Sequence, residues 1–440
     1  MKFYLHKLGC PKNDVDAEYI IACLIDAGHE YVSKPEKADS IIVNTCGFIQ
    51  SAKEESIDEI LRLGQLKKDG ILKKLIASGC LSQRYGDELL KGIPELDSAV
   101  GLGRMESILN ALDCDNGIRK TSKFESRKLA YLDWKHRFIS DGYPYAYLKV
   151  SDGCNRDCSF CAIPSIRGKY RSRPMESIIN EAKFLAENGK KELILVSQEV
   201  TLWGLDLKNN QRIIGLLQEL EKIESVKWIR PMYLYPSVVT QKLIDYMTSG
   251  SKTLSYFDIP LQHINDDILK QMKRRTTKRD IETLLDKIRN SPNNPVIRTT
   301  FIVGYPGETD KKFNELKDFV KEQRFDRMGI FTYSAEEGTP GGEMKGQIPE
   351  KEKMARMEEL MLVQQEISFD KNISLIGSIQ EVIIDEVSSD RIGKGRTRGD
   401  CPEIDQDVNV NGDKLEVGEI CLVKIDKVEG YDLFGSRSEG

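Results

Sequence analysis

The chain has 440 residues, with 65 basic and 70 acidic side chains and a formal net charge of −5. No stretch approaches the ~20 apolar residues of a membrane span, and the N-terminus MKFYLHKLGCPKND lacks the apolar core and cleavage site of a signal peptide. A soluble, cytoplasmic, multidomain protein is expected, a setting in which ten cysteines point to metal ligands, catalytic groups or buried thiols rather than disulfides.

In chain order, residues 1–135 alternate in type. KFYLHKLG reads as a strand and DVDAEYIIACLIDAG as an amphipathic helix ending at Gly28; SIIVNTC, KKLIASGC and LDSAVGLG read as further strands separated by helical stretches. Short apolar strands joined by helices predict a doubly wound parallel sheet. Residues 136–370 repeat the alternation. Six strand candidates (YAYLKV, KELILVS, VKWIRPMYL, SYFDIPL, VIRTTFIVG and RMGIFTYS) predict a partial TIM-like (β/α)6 barrel. A long amphipathic helix, IPEKEKMARMEELMLVQQEISFDKNISLI, reads as a connector. Residues 371–440 change character to strands (GSIQEVIIDEV, QDVNVNGDKLEV, EICLVKIDKVEGYDLFG), which predicts a small all-β, OB-like barrel. The fold class is therefore α/β with an all-β C-terminal module.

Cysteine spacing carries the chemistry. Cys154, Cys158 and Cys161 form a C-x₃-C-x₂-C run just after the first barrel strand, at the end of the barrel where active sites are built. Arg156, Arg167 and Lys169 in that loop are expected to lower thiolate pKa values. Three thiolates leave one iron of a 4Fe–4S cubane without a protein ligand, free to bind a small molecule. A zinc site with a distant fourth ligand is the alternative, and chance burial is disfavoured by a loop rich in Gly, Asn, Asp and Arg. A second triplet is spread out: Cys10, Cys46 and Cys80 each follow a predicted parallel strand directly. Strand C-termini lie along one edge of an open α/β sheet, so the three can converge there and a second metal site is expected; ordinary small residues in turns, the alternative, would not recur at the same position each time. Cys23, Cys114, Cys401 and Cys421 read as buried or incidental thiols.

The C-x₃-C-x₂-C run with Phe160 before its last cysteine resembles the signature of radical S-adenosylmethionine (SAM) enzymes. With the N-terminal triplet and the C-terminal β module, the resemblance is to the methylthiotransferase family over essentially the whole chain. It implies two 4Fe–4S clusters, one on Cys154, Cys158 and Cys161 that binds and cleaves SAM, and an auxiliary one on Cys10, Cys46 and Cys80 that carries the transferred sulfur. It further implies a C-terminal TRAM domain, and a sequence in which one SAM methylates that sulfur while a second yields a 5′-deoxyadenosyl radical. No side-chain acid or base is then required, in keeping with four histidines that form no triad or zinc motif. The other SAM contacts it suggests are Ser197, Gln198 and Glu199 after the second barrel strand and Gly304 in VGYPGE. Glu199 stands where relatives often have Asp, and an ordinary Gly-Pro turn is an equal reading of VGYPGE. Gln262 and His263 in DIPLQH lie at another strand end, with structural and ligand-contact roles both open.

Family members divide between tRNA and ribosomal-protein substrates. From Lys371 to Gly440 there are nine basic and fifteen acidic residues, 9 − 15 = −6, which disfavours phosphate binding and suits a basic partner. NTCGFI around Cys46, YFDIPLQHI, YSAEEGTP and GRTRGDCPEIDQDV are similar to the ribosomal-protein branch; the tRNA branch tends to carry NTCS. Cys401 stands where alanine is more usual. The implied reaction is methylthiolation of the β-carbon of an aspartate in protein S twelve of the small ribosomal subunit. It calls for an electron donor such as flavodoxin or ferredoxin and a sulfur donor. A tRNA adenosine methylthiotransferase is the runner-up, and a non-catalytic iron–sulfur or zinc scaffold is the remaining class. Two motifs are declined: the Asp407–Asn409–Asn411–Gly412 run matches an EF-hand opening but has Gly418 at its twelfth position, and Gly101 with Gly103 makes only half a dinucleotide fingerprint.

Overall fold

The computed structural model describes residues 1–113, 120–122, 137–139, 142–208, 211–389 and 391–438. Cys114 and the expected domain junction at 135/136 lie outside them.

The N-terminal sheet comprises β1 (Lys2–Lys7), β2 (Glu30–Tyr31), β3 (Ser40–Thr45), β4 (Lys74–Gly79), β5 (Ser98–Val100) and β6 (Lys120–Ser122), all parallel and ordered β2-β1-β3-β4-β5-β6. Helices α1 (Pro11–Asp26), α2 (Gln50–Lys68), α3 (Cys80–Gly92) and α4 (Met105–Asp113) cover both faces. Alternate residues of the central strands feed separate cores: Ile41, Val43, Leu75 and Ala77 pack against Ile60, Leu63 and Leu89, and Phe3, Leu5, Ile42 and Ile76 against Ile20, Ile21, Leu24 and Ile108. That is why SIIVNT reads as a continuous apolar run rather than an alternation. The chain order reverses at the β1/β3 boundary, where a doubly wound sheet opens its ligand crevice.

The second unit holds β7 (Tyr145–Lys149), the small hairpin β8 (Ser151–Asp152) with β9 (Arg171–Ser172), then β10 (Glu192–Val196), β11 (Trp228–Pro231), β12 (Tyr256–Gln262), β13 (Val296–Val303) and β14 (Arg327–Thr332). The six expected barrel strands are present and parallel, in two runs, β11-β10-β7 and β12-β13-β14, so the barrel is open. Its helices, α5 (Ile163–Arg167), α6 (Met175–Glu187), α7 (Ile213–Glu221), α8 (Gln241–Met247), α9 (Asp266–Gln271), α10 (Lys278–Arg289), α11 (Asp310–Gln323) and α12 (Glu350–Ile373), lie between and after the strands. The expected connector α12 does more than connect. It lays Leu360 and Ile367 into the barrel's outer core, alongside Leu316 and Val320 of α11.

An open barrel leaves its concave face to be covered. Tyr145, Tyr147, Ile194, Trp228 and Tyr256 on that face pack against Val15 and Tyr19 of α1 from one neighbour and Ile383 and Cys401 from the other. The C-terminal module is a closed five-stranded barrel, β15 (Ile379–Ser389), β16 (Ile392–Thr397), β17 (Val408–Asn411), β18 (Ile420–Glu429) and β19 (Asp432–Arg437), ordered β15-β16-β17-β19-β18. Strand β16 was not among the expected strands. Its sequence, IGKGRT, has glycines and charges where apolar alternation would be read, and it is held by pairing on both sides.

The module docks by buried charge. Arg396, 1% exposed, donates to Asp385 (2.6 and 2.9 Å) and to Glu192 Oε2 (2.7 Å), whose Oε1 accepts from Arg230 (2.8 Å). Arg327 donates to Asp400 (2.9 Å), and the Tyr256 hydroxyl donates to Asp405 (2.6 Å). Several of the module's acids are thus spent inside the molecule, and the −6 count overstates the charge it presents to a partner. Arg396→Ala would strand Asp385 as a buried charge and leave Glu192 with Arg230 alone, a cost of roughly 3–5 kcal/mol. We expect its urea unfolding to begin at lower concentration, with limited proteolysis first releasing the C-terminal module. An unchanged profile would show that the joint rests on apolar packing alone.

Candidate functional site

The cysteines of both triplets line one cavity of about 350 Å³ between the N-terminal sheet and the barrel. Cys10, Cys46 and Cys80 follow β1, β3 and β4 at their C-terminal tips, on the sheet edge where the crevice opens. Cys10 and Cys80 also stand at the N-termini of α1 and α3. Close approach of the tips depends on glycine. A Cβ on Gly9 would lie 2.8 Å from Cys46 Cβ, and one on Gly47 would lie 2.7 Å from the Leu81 backbone. Asn13, in the first turn of α1, laces the tips together: its amide donates to the Leu8 carbonyl (2.9 Å) and the Thr45 carbonyl (3.2 Å).

Across the cavity, Cys154, Cys158 and Cys161 sit on the loop between β8 and α5. The Cys154 N–H donates to the Gly168 carbonyl (3.1 Å), and Ser159 is tied to Met272 and Gln271 at the end of α9 (3.1 and 2.7 Å). The loop is therefore anchored to the barrel at both ends. Among the described residues no three Cys, His, Asp or Glu side chains close on a single-ion point. The six thiols stand on the walls of the shared cavity.

The expected cations act differently from the sequence reading. Lys169 is exposed and outside the cavity. Arg156 turns to Glu199 (2.9 and 2.7 Å) and stacks over Tyr235 (3.9 Å to the ring centroid). Arg167 leaves its own loop's thiols and reaches the other triplet, 3.5 Å from Cys80 Sγ, while donating to Asn13 (2.8 Å). The cation beside the barrel triplet is Arg274, 3.7 Å from Cys158 Sγ and also stacked on Tyr235 (4.2 Å). Nor are Cys46, Cys80, Cys154 and Cys161 acidified. Burial pushes Cys46 and Cys154 up to about 11 and Cys161 to about 12, outweighing the nearby guanidinium groups.

Of the other residues singled out, Phe160, Gln198, Glu199 and Gln262 line the cavity. Both amide atoms of Gln198 and Oε1 of Gln262 are buried without a hydrogen-bond partner, and Gln262 holds a φ of 76°. Ser197 lies behind the wall, its hydroxyl accepting from the Glu199 N–H (3.0 Å). Gly304 is turned away: its N–H donates to Glu308 (3.0 Å), and a Cβ there would meet Lys353. His263 is fully buried, 3.2 Å from Glu308. Of the four remaining thiols, Cys401 and Cys421 are buried and Cys23 is half-buried.

Sequence reasoning did not single out Lys12, Asn13, Tyr233, Tyr235 or Arg274, all of which line the cavity. Lys12 and Asn13 stand within two and three residues of Cys10, a signal that was available. Arg274 lies in KRRTTK, which reads as a solvated charge run, and the role of the two tyrosines depends on a backbone turn (φ 58° at Tyr233) invisible in sequence.

Comparison with known proteins places this geometry. Residues 148–320 match the Radical SAM superfamily, residues 2–101 the Uncharacterized protein family UPF0004, and residues 376–437 the TRAM domain. The chain is 46% identical over 436 residues to ribosomal protein uS12 methylthiotransferase RimO of Clostridioides difficile (strain 630), covering 99% of this chain and 98% of the relative. It is 47% identical over 429 residues to the RimO of Caldanaerobacter subterraneus subsp. tengcongensis, covering 97% and 98%. The RimO of Bdellovibrio bacteriovorus is 43% identical over 442 residues, covering 99% and 97%. In fold it resembles the radical SAM methyltransferase TsrM from Kitasatospora setae, solved with cobalamin and a 4Fe-4S cluster bound (TM-score 0.57, 13% identity, covering 86% of this chain and 76% of that one). The full-length similarity settles the family: the chain belongs to the ribosomal protein uS12 methylthiotransferase RimO family.

Proposed function

We propose that the chain is a radical SAM methylthiotransferase that adds a methylthio group to the β-carbon of an aspartate in ribosomal protein uS12. The observation that carries the reading is the meeting of two cysteine triplets from different domains in one cavity. Cys154, Cys158 and Cys161 would hold the 4Fe–4S cluster that works with SAM, and Cys10, Cys46 and Cys80 would hold the auxiliary cluster. The donor set fits: six thiols, no competing carboxylate other than the paired Glu199, and unpartnered amides on Gln198 and Gln262 for a polar ligand. When bound, the clusters and SAM supply the radical and the sulfur. The chain's own residues place them.

Phe160 and Gln198 wall the SAM side, with Ser197 holding the backbone of Glu199, whose carboxylate is locked on Arg156. Gln262 lines the same cavity, where its unpartnered Oε1 would be open to SAM or substrate. Gly304 shapes the turn after β13, its N–H on Glu308 and its Cα side against α12. No helix among the described residues is long and apolar enough to cross a membrane, and we place the protein in the cytoplasm with a flavodoxin- or ferredoxin-like electron donor and a sulfur donor. Three domains divide the labour: residues 1–135 carry the auxiliary cluster, 136–370 carry SAM chemistry with α12, and 371–440 form the TRAM domain.

The deciding experiment incubates uS12 and bulk tRNA anaerobically with reconstituted enzyme, SAM, sulfide and reductant, and reads both by mass spectrometry. A gain of CH₃S in place of H on a uS12 aspartate is expected. A methylthioadenosine in tRNA with unmodified uS12 would overturn the substrate assignment.

Removing each triplet separates the two roles. The Cys10→Ala, Cys46→Ala, Cys80→Ala variant should lose about half of the reconstituted iron, still cleave SAM and transfer no methylthio group. The Cys154→Ala, Cys158→Ala, Cys161→Ala variant should lose SAM cleavage altogether while keeping the other half. Equal iron in wild type and both variants would assign the metal elsewhere.

The raised thiols also set a pH dependence. Thiolate is the ligand, so iron uptake releases protons and is favoured as pH rises toward the thiol pKa values. Competition of the reconstituted protein against a chelator should therefore show weaker iron retention at about pH 7 than at about pH 9. The opposite trend would be incompatible with thiols that are protonated in the metal-free protein.

A further inference from the structure

Four cationic side chains line the cavity: Lys12, Arg156, Arg167 and Arg274. Three are engaged. Arg156 grips Glu199, the one carboxylate among the lining residues, and Arg167 is enclosed by Asp16 and Asp152 (3.2 and 3.3 Å). Arg274 donates to the Pro260 carbonyl (2.6 Å) and toward Cys158 (3.7 Å), on the barrel side. Lys12 differs. It stands on the auxiliary side, two residues after Cys10, with Nζ 3.7 Å from the centroid of the Tyr233 ring, and no carboxylate among the described residues pairs with it.

The ring beneath Lys12 is held in place at a cost. Tyr233 keeps a left-handed backbone (φ 58°), and its N–H donates to Asp258 Oδ2 (2.8 Å), whose other oxygen accepts from Arg298 (2.9 Å). Backbone strain of this kind persists where the surroundings over-determine it, and it clusters at ligand sites. The Tyr233 ring and hydroxyl steady the ammonium, and Cys10 lies within its electrostatic reach; an ammonium has three N–H groups, so one engaged by Tyr233 leaves others for an anion. Lys12 is half-buried and has no carboxylate partner among the described residues, so an arriving carboxylate gains a charge-assisted hydrogen bond there.

We propose that Lys12 receives the side-chain carboxylate of the substrate aspartate, with Tyr233 as the platform that aims it. The reacting β-carbon is bonded directly to that carboxylate. Anchoring the carboxylate on one ammonium therefore confines the carbon to the space between the two triplets and supplies orientation rather than acid–base chemistry. The proposal rests on the aspartate reading above. It adds the residue that makes the site specific for a carboxylate, as distinct from an amide or a nucleobase.

The test measures binding without turnover. Reconstituted enzyme with SAM and no reductant is titrated with uS12 and with a uS12 variant whose modified aspartate, mapped by mass spectrometry with the native enzyme, is replaced by asparagine. The native enzyme should prefer the aspartate form by about 10- to 100-fold, the range of a charged hydrogen bond. Lys12→Met should abolish the preference by weakening the aspartate form alone, and Lys12→Arg should retain most of it. Iron content and the midpoint potential of the auxiliary cluster are read in parallel. A Lys12→Met enzyme with full iron that keeps its preference overturns the proposal. So does one whose cluster potential shifts while the preference stays intact, because Lys12 then serves the cluster. Failure of the reading itself appears earlier and separately, as a native enzyme that modifies no uS12 aspartate.

Discussion

Six parallel strands that curve in two runs of three without closing have a concave face that must be buried by something other than themselves. The rest of this molecule follows from that constraint. Tyr145, Tyr147, Ile194, Trp228 and Tyr256 cannot be left in water, and among the described residues the barrel has no further strands to enclose them. Helix α1 fills one part of the face and the C-terminal module another. The site is a consequence: by docking on the open barrel, α1 brings β1, β3 and β4 with it, and their tips face the barrel's cysteine loop.

The docking is specified by charge as well as by apolar contact. Lys149 at the end of β7 meets Asp16 (2.6 Å) and Asp152 (3.2 Å), and Arg167 is shared between the same two carboxylates. Further along α1, Arg137 joins Glu18 (2.5 Å) to Glu181 (2.7 Å), and the Tyr19 hydroxyl donates to Glu181 (2.8 Å). Buried pairs of this kind add little net stability over apolar packing, but a shifted register would leave ions unpaired, which is strongly unfavourable. They therefore select one orientation of the N-terminal domain. Because Arg167 also touches Cys80, the groups that set the docking geometry reach directly into the cysteine site.

Burial explains both how the cavity suits its chemistry and where charge counting misleads. Cys46, Cys80, Cys154 and Cys161, withdrawn from water, resist ionising. Cations within the cavity are matched to groups of opposite charge or to aromatic faces, which keeps polar chemistry ordered in a confined space. At the other joint, Asp385, Asp400 and Asp405 serve Arg396, Arg327 and Tyr256 rather than an external partner. A net charge summed over a segment says nothing about which charges face solvent, and here the difference bears on the argument from acidity to a basic substrate.

The amino-acid sequence by itself determined most of the elements and the placement of the two cysteine triplets. Strand apolarity, helix periodicity and the repeated placement of cysteine directly after a strand are local properties, readable because parallel strands end in turns at one sheet edge. The spacing of Cys154, Cys158 and Cys161 is local in the same way. Strand β16 escaped because its stability comes from pairing partners rather than from its own composition. Only the tertiary structure decided that the two triplets share one cavity, since that depends on α1 filling the open barrel across more than a hundred residues of chain. It also decided that Arg167 serves Cys80, that Arg274 serves Cys158, and that Ser197 and Gly304 stand behind the wall. The direction of a side chain follows from packing, and packing is settled only when distant segments compete to bury the same face.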